Sequence, residues 1–154
     1  TGAAAAGVTD APAKLEAAYG IEVEPYDVLT VASLVQEEAG SAEEAPKIAA
    51  VIYNRLSEGT PLGIDATSRY LAELDGTELD FTSSSPYNTR TNAGLPPTPI
   101  ASGGEYALDA AVNPADGPWI YYVLTEPGVH TFTESYAEFQ EAKQLCIERD
   151  LGCG

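Results

Sequence analysis

Two adjacent glutamates, Glu37 and Glu38, close the segment Asp27–Gly40, DVLTVASLVQEEAG, and helical spacing sends them to different faces. At about 100° per residue, Val28, Val31, Ala32, Val35 and Ala39 gather on one side, and Glu38 falls on that side's flank between Val31 and Leu34. Glu37 falls nearly opposite, with Thr30 and Ser33. A carboxyl turned toward apolar neighbours loses solvation of its charged form, so its pKa rises, and an acid still protonated near neutral pH can donate to a leaving group. Glu38 is therefore the candidate general acid. The competing reading is that of most glutamates at a helix edge, which snorkel to water or pair with a base.

The elements that must position such an acid belong to a chain of 154 residues, 44% of them hydrophobic, which fits one soluble domain with a worthwhile core. Seven Lys and Arg against 24 Asp and Glu give a formal net charge of −17. That balance opposes binding to nucleic-acid phosphates or anionic lipid headgroups and favours a neutral or locally cationic partner. No apolar run approaches the roughly eighteen residues that cross a bilayer, and Thr1–Gly7, TGAAAAG, lacks the charged start and apolar core of a signal peptide. The chain thus reads as a soluble piece excised from something larger. There is no phosphate-cradling glycine motif and no GxSxG elbow, and no motif calls for a cofactor or metal. Cys146 and Cys153 stand close together in CIERDLGC; a free or metal-binding pair is the alternative, but two ligands make a poor zinc site, and a disulfide in an extracytoplasmic setting is favoured.

Residues 1–24 read as an N-terminal lead, flexible over 1–8, and a short helix at Ala11–Tyr19 ended by Gly20. Pro25 introduces a helix over Asp27–Ala39 with Asp27 as N-cap and Gly40 closing it. A turn at Ser41–Glu44 leads to a helix over Pro46–Leu56 that buries Ile48, Val51, Ile52 and Leu56, with Tyr53, Asn54 and Arg55 at its end. Asp75–Gly104 is dense in Ser, Thr, Asn, Pro and Gly and has no sustained period. Anchored by Tyr87, Leu95 and Ile100, it reads as a binding loop rather than as disorder. A helix follows at Glu105–Val112. Trp119–Leu124 and Val129–Thr133 form a hairpin turned at Glu126-Pro127-Gly128. Ser135 and Glu138 cap a last helix that carries Phe139, Ala142 and Leu145 inward. His130 alternates with Val129 and Phe132 in its strand; a structural histidine is the default and an imidazole facing the cleft the alternative. The class is α+β: one compact domain of several helices, a β-hairpin and a long Pro/Asn-rich loop.

Six segments in order, VASLVQEEAG, PKIAAVIYNRL, PLGIDATSRY, SPYNTRTNAGLPPTPIASGG, AAVNPADGPWIYYV and VHTFTESYAEF, span Tyr26 to Phe139. Together they resemble the YceG-like, or MltG, family of endolytic murein transglycosylases. The resemblance implies that residues 25–154 are a catalytic domain and that Glu38, the final Glu of ASLVQEE, is the general acid. It implies peptidoglycan glycan strands as substrate, cut between N-acetylmuramic acid and N-acetylglucosamine to leave 1,6-anhydro-muramoyl ends. Tyr53, Asn54 and Arg55 match the family's YNR signature, and Ser85, Tyr87, Asn88 and Thr89 match SPYNT. These would line or brace the sugar groove with Asp65 and His130, Asn54 equally serving to hold a loop. The family's frequent LQTDPT reads LGIDAT here, with Gly63 and Ala66 as departures that bear on substrate preference. Full-length members carry an N-terminal membrane helix and a LysM-like module, so the resemblance also implies a cell-envelope location, anchoring by a segment outside this chain, and cell-wall synthases as partners. Two rivals stand beside it. A lysozyme-like hydrolase would use Asp65 as second carboxylate, and a non-catalytic glycan-binding module would hold Glu38 as a structural carboxyl.

Overall fold

The computed structural model describes residues 2–153, with side chains from Asp10 onward; Thr1 and Gly154 lie outside the described residues. In chain order the elements are α1 (Gly2–Tyr19), α2 (Pro25–Glu38), α3 (Ala45–Glu58), α4 (Asp65–Asp75), α5 (Glu105–Val112), β1 (Tyr121–Glu126), β2 (Val129–Thr133) and α6 (Tyr136–Glu148). The class is α+β, six helices and one antiparallel two-stranded sheet among the described residues. The backbone is helical from Gly2, where a flexible lead is expected. Alanine's helix propensity outweighs the two glycines of that stretch. Ala11 and Leu15 of α1 join the same core as α2 and α3.

α2 is the central helix, packed against α1, α3, α4 and α5. Its N-cap is Glu24, with Pro25 at the first helical position; Asp27 sits three residues further on, where its carboxylate accepts from the Glu24 amide at 2.9 Å. Asp27 is therefore not the N-cap, and Ala39 rather than Gly40 ends the helix. Burial goes nearly all round the helix from Val28 to Val35, Leu29 excepted. Thr30 and Ser33, placed by periodicity on a polar face, are buried. They satisfy themselves within the helix, Thr30 Oγ1 donating to the Tyr26 carbonyl at 3.1 Å and Ser33 Oγ to the Thr30 carbonyl at 2.7 Å. Ser33 also accepts from the Ile100 amide at 3.0 Å, which pins the long loop to α2.

α3 buries Ile48, Val51 and Ile52 and ends on Gly59, whose φ of 71° is the left-handed cap glycine supplies without strain. α4 is an element that the sequence pattern does not announce. Its buried face is Ala66, Thr67 and Ser68 rather than an apolar stripe, and Thr67 Oγ1 is satisfied by the Ile64 carbonyl at 2.9 Å.

The hairpin pairs Tyr122 with Phe132 and Leu124 with His130, with an irregularity between Leu124 and Glu126. It begins at Tyr121, two residues later than the expected Trp119. Ser135 caps α6 by accepting from the Glu138 amide. Phe139 stacks on Tyr121 with ring centroids 4.8 Å apart, and Ala142 and Cys146 are buried. Residues 139, 142 and 146 share one helical face, so Leu145 turns outward, against expectation, and is 39% exposed. Cys146 and Cys153 are joined as a disulfide, Cα atoms 6.1 Å apart, which folds the C-terminal turn back beside the hairpin.

Candidate active site

The last residue of α2 opens into a cleft of about 360 Å³ whose walls come from α3, α4, the hairpin and α6. Glu38 is half-buried there while Glu37 is exposed. Tyr122 Oη donates to Glu38 Oε1 at 2.8 Å. Burial pushes the Glu38 carboxyl above the usual carboxylate range; the Tyr122 bond and the charges of Arg69 and His130 pull the other way, and Asp65 adds to the rise. A carboxylate at a helix C-terminus also faces the negative end of the dipole, which acts in the same direction as burial. The Tyr122 phenol is itself pushed well above its ordinary value, by burial first and then by Glu38, so it stays a donor at neutral pH.

Asp65, the other acidic group lining the cleft, and Glu44 behind His130 are committed. Asp65, at the start of α4, accepts a two-pronged bond from Arg90, with Nε to Oδ1 at 2.7 Å and Nη2 to Oδ2 at 2.8 Å. Glu44, in the turn before α3, grips His130 twice, accepting from its amide at 2.8 Å and meeting Nδ1 at 2.8 Å. The imidazole then stands edge-on to Tyr122, 5.5 Å between centroids. Arg55 donates to the carbonyls of Ile120, Pro61 and Leu62, tying α3 to the start of the hairpin and to the segment before α4. Burial lowers its pKa.

Of the residues singled out from sequence, Glu38, Arg55, Asp65 and His130 meet in this cleft. The others hold the parts that form it. Tyr53 is in the core, its hydroxyl donating to the Ala111 carbonyl at 2.7 Å and its ring stacked on Tyr19. Asn54 donates to the carbonyls of Gly117 and Trp119 at 2.9 and 2.8 Å, fixing the approach to β1. Ser85 Oγ accepts from the Tyr87 amide, and Tyr87 Oη meets Thr98 Oγ1 at 2.9 Å. Asn88 is fully buried, donating to the carbonyls of Phe81 and Ser83 and accepting from the Arg90 amide. Thr89 accepts from the amides of Gly63, through its carbonyl, and Ile64, through its hydroxyl, both at 2.9 Å. The SPYNT segment thus supports the cleft floor at Gly63 and presents Arg90 to Asp65. Gly63 lines the cleft with a φ of 65°, a left-handed conformation suited to glycine.

Tyr122, Arg69, Glu44 and Lys143 are among the residues at the site that were not singled out from sequence. Tyr122 was within reach, because strand alternation places it on the face of Leu124, and pairing adds Phe132 and His130. Arg69 lies four residues after Asp65 on α4 and so shares its face, a signal available only once that helix is known. Glu44 lies 86 residues from His130, and no local pattern pairs them.

Linkage gives this geometry a stability signature. A raised carboxyl keeps its proton in the folded chain at pH values where the unfolded chain has released it, so its stabilisation is full below the unfolded value of about 4.3 and is lost as pH rises through the folded value. Glu38→Gln cannot titrate. The variant should melt above the native chain near neutral pH, with the advantage shrinking as pH falls toward about 4; melting curves whose difference is independent of pH would contradict a desolvated Glu38.

The fold and cleft set one half-buried carboxyl, Glu38, on an α+β scaffold, with Asp65 tied to Arg90 and Glu44 to His130. The chain belongs to the YceG-like family, whose sequence profile matches residues 4–145. A Bacillus subtilis protein named endolytic murein transglycosylase is 37% identical over 129 residues, covering 82% of this chain and 36% of that protein. A Streptococcus pneumoniae protein of the same name is 32% identical over 125 residues, covering 75% of this chain and 22% of that one. The crystal structure of a yceG-like protein from Listeria monocytogenes superposes with a TM-score of 0.68 at 28% identity, covering 84% of this chain and 43% of that one. The chain therefore spans about a third or less of the length of these curated relatives. No helix among the described residues is long and apolar enough to cross a membrane.

Proposed function

We infer that this chain is the catalytic part of an endolytic peptidoglycan lytic transglycosylase, a carbon–oxygen lyase that cuts the bond from N-acetylmuramic acid to N-acetylglucosamine. The observation that carries the reading is the asymmetry of the cleft carboxylates: Glu38 is half-buried and its pKa is raised by burial, whereas both oxygens of Asp65 are held by Arg90. A hydrolase that divides its work between two carboxylates needs the second one free as base or nucleophile. A lytic transglycosylase needs one. Glu38 gives its proton to the glycosidic oxygen as the bond from the muramoyl anomeric carbon breaks. The resulting carboxylate then takes the proton of the muramoyl 6-hydroxyl as that oxygen bonds to the same carbon, which restores Glu38 and leaves a 1,6-anhydro ring. The attacking hydroxyl belongs to the same sugar and competes with water through a large effective molarity. Tyr122 orients Glu38 by its hydrogen bond, and His130, fixed by Glu44, is set to contact the sugar. The names of the relatives support this reading, and the length they have beyond the chain leaves room for the envelope anchor and the synthase contacts that the family resemblance implies.

Length analysis of uncrosslinked glycan strands tests it. Internal cutting should shift the entire length distribution downward early in the digest, and Glu38→Gln should leave it unmoved. Disaccharides accumulating while long strands persist would refute endolytic action. An unmoved distribution with the native chain would favour the glycan-binding module.

A further inference from the structure

Only seven basic side chains face 24 acidic ones in this protein, and five of the seven have partners within the fold. Lys14 donates to Asn113, Lys47 lies over the rings of Trp119 and Phe132, Arg55 bonds carbonyls, Arg90 pairs with Asp65, and Arg149 donates to the Thr125 carbonyl. The remaining two, Arg69 and Lys143, have no hydrogen-bond or ion-pair partner among the described residues, and both line the Glu38 cleft. They come from separate elements, Arg69 exposed on α4 and Lys143 half-buried on α6. Arg69 also borders a smaller hollow of about 130 Å³ lined by Glu37, Tyr70 and Glu73.

A neutral saccharide gives two cations nothing to neutralise. Each muramoyl residue, however, carries a lactyl group from which a peptide stem hangs, and the stem's carboxylates are the anionic groups nearest the bond to be cut. We propose that Arg69 and Lys143 bind the carboxylates of the peptide stem, so that the cleft selects stem-bearing strands over bare ones. The proposal rests on the glycan-cleaving reading of Glu38. Arg69 suits a two-pronged grip on a carboxylate and Lys143 a single point contact. The excess of negative charge elsewhere on the chain sharpens the selection, because it disfavours an anionic stem on other faces.

Calorimetric titration of the Glu38→Gln protein, which binds without turnover, tests the pair directly. The ligands are a muramoyl disaccharide with its free stem, the same ligand with its carboxylates amidated, and the bare disaccharide. The free stem should bind most tightly, with affinity falling as salt rises. Arg69→Gln and Lys143→Gln should each weaken it by about tenfold, and the double variant should bind all three ligands alike. Neither side chain has an internal partner to lose, and unchanged melting temperatures would verify that the variants fold. Equal affinities in the starting protein, or a stem preference that survives the double substitution, would overturn the proposal. So would a glycerol phosphate polymer that displaces the ligand while amidation leaves affinity unchanged, which would assign the pair to phosphate. Binding is read here without cleavage, so stem-dependent affinity beside intact glycan strands would remove the enzymatic reading and leave the pair's role standing; cleavage without stem preference would do the reverse.

Discussion

Glu38→Gln should lower turnover on glycan strands by about 10² to 10⁴, the usual contribution of a positioned general acid–base, while Glu37→Gln should stay within a few-fold of the native chain. The amide keeps the size of the carboxyl and still accepts from Tyr122 Oη, which now lies 2.8 Å from Glu38 Oε1. It has no acidic proton to give. Glu37 is exposed one residue earlier on α2 and has no place in the cleft lining. The pair of variants separates acid chemistry from loss of negative charge at the helix end, since both remove one charge. A dead Glu37→Gln beside an active Glu38→Gln would reverse the assignment.

Asn88→Ala should be the most destabilising single change in the long loop, costing about 2–4 kcal/mol, or about 4–16 °C in melting temperature for a domain of this size. Asn88 is fully buried, and its amide donates to the Phe81 and Ser83 carbonyls at 3.0 and 2.7 Å and accepts from the Arg90 amide at 3.1 Å. Alanine removes the side-chain partner of the Phe81 carbonyl and of the Arg90 amide, and one of the two donors to the Ser83 carbonyl, and leaves a cavity at a fully buried position. Asn92→Ala is the control: Asn92 is half-buried and bonds the Ser85 and Asn88 carbonyls, which water can replace in part. If the two variants melt together, the loop is not organised around Asn88. Activity should fall with Asn88→Ala as well, because the loop presents Arg90 to Asp65.

Much of the scaffold was legible because its punctuation is chemical. Pro25, Gly59 and Ser135 mark real helix ends, and Pro127-Gly128 makes the turn of the hairpin. α4 was not, since it buries small and hydroxylated residues whose polarity is cancelled by hydrogen bonds that only the fold supplies, such as Thr67 to Ile64 and to Thr89. The same cause hid the burial of Thr30 and Ser33: periodicity reads hydroxyls as a wet face, yet each bonds a carbonyl one turn back. Glu38 was legible for a different reason, being the one carboxyl whose helical register alone sends it toward the apolar side. Its surroundings were legible only in part: strand alternation could have pointed to Tyr122, whereas Arg69 needs α4 to be known and the Glu44–His130 pair joins separate elements without local pattern.

Digestion of peptidoglycan in heavy-oxygen water tests the one-carboxyl account most directly. Ring closure by the muramoyl 6-hydroxyl leaves new muramoyl ends that carry no label and are lighter than hydrolysed ends by one water. Hydrolysis leaves a labelled reducing end. The geometry of Glu38 alone, with Asp65 held by Arg90, predicts unlabelled anhydro ends; predominant label at the new muramoyl ends would contradict it and return Asp65 to the role of second carboxylate.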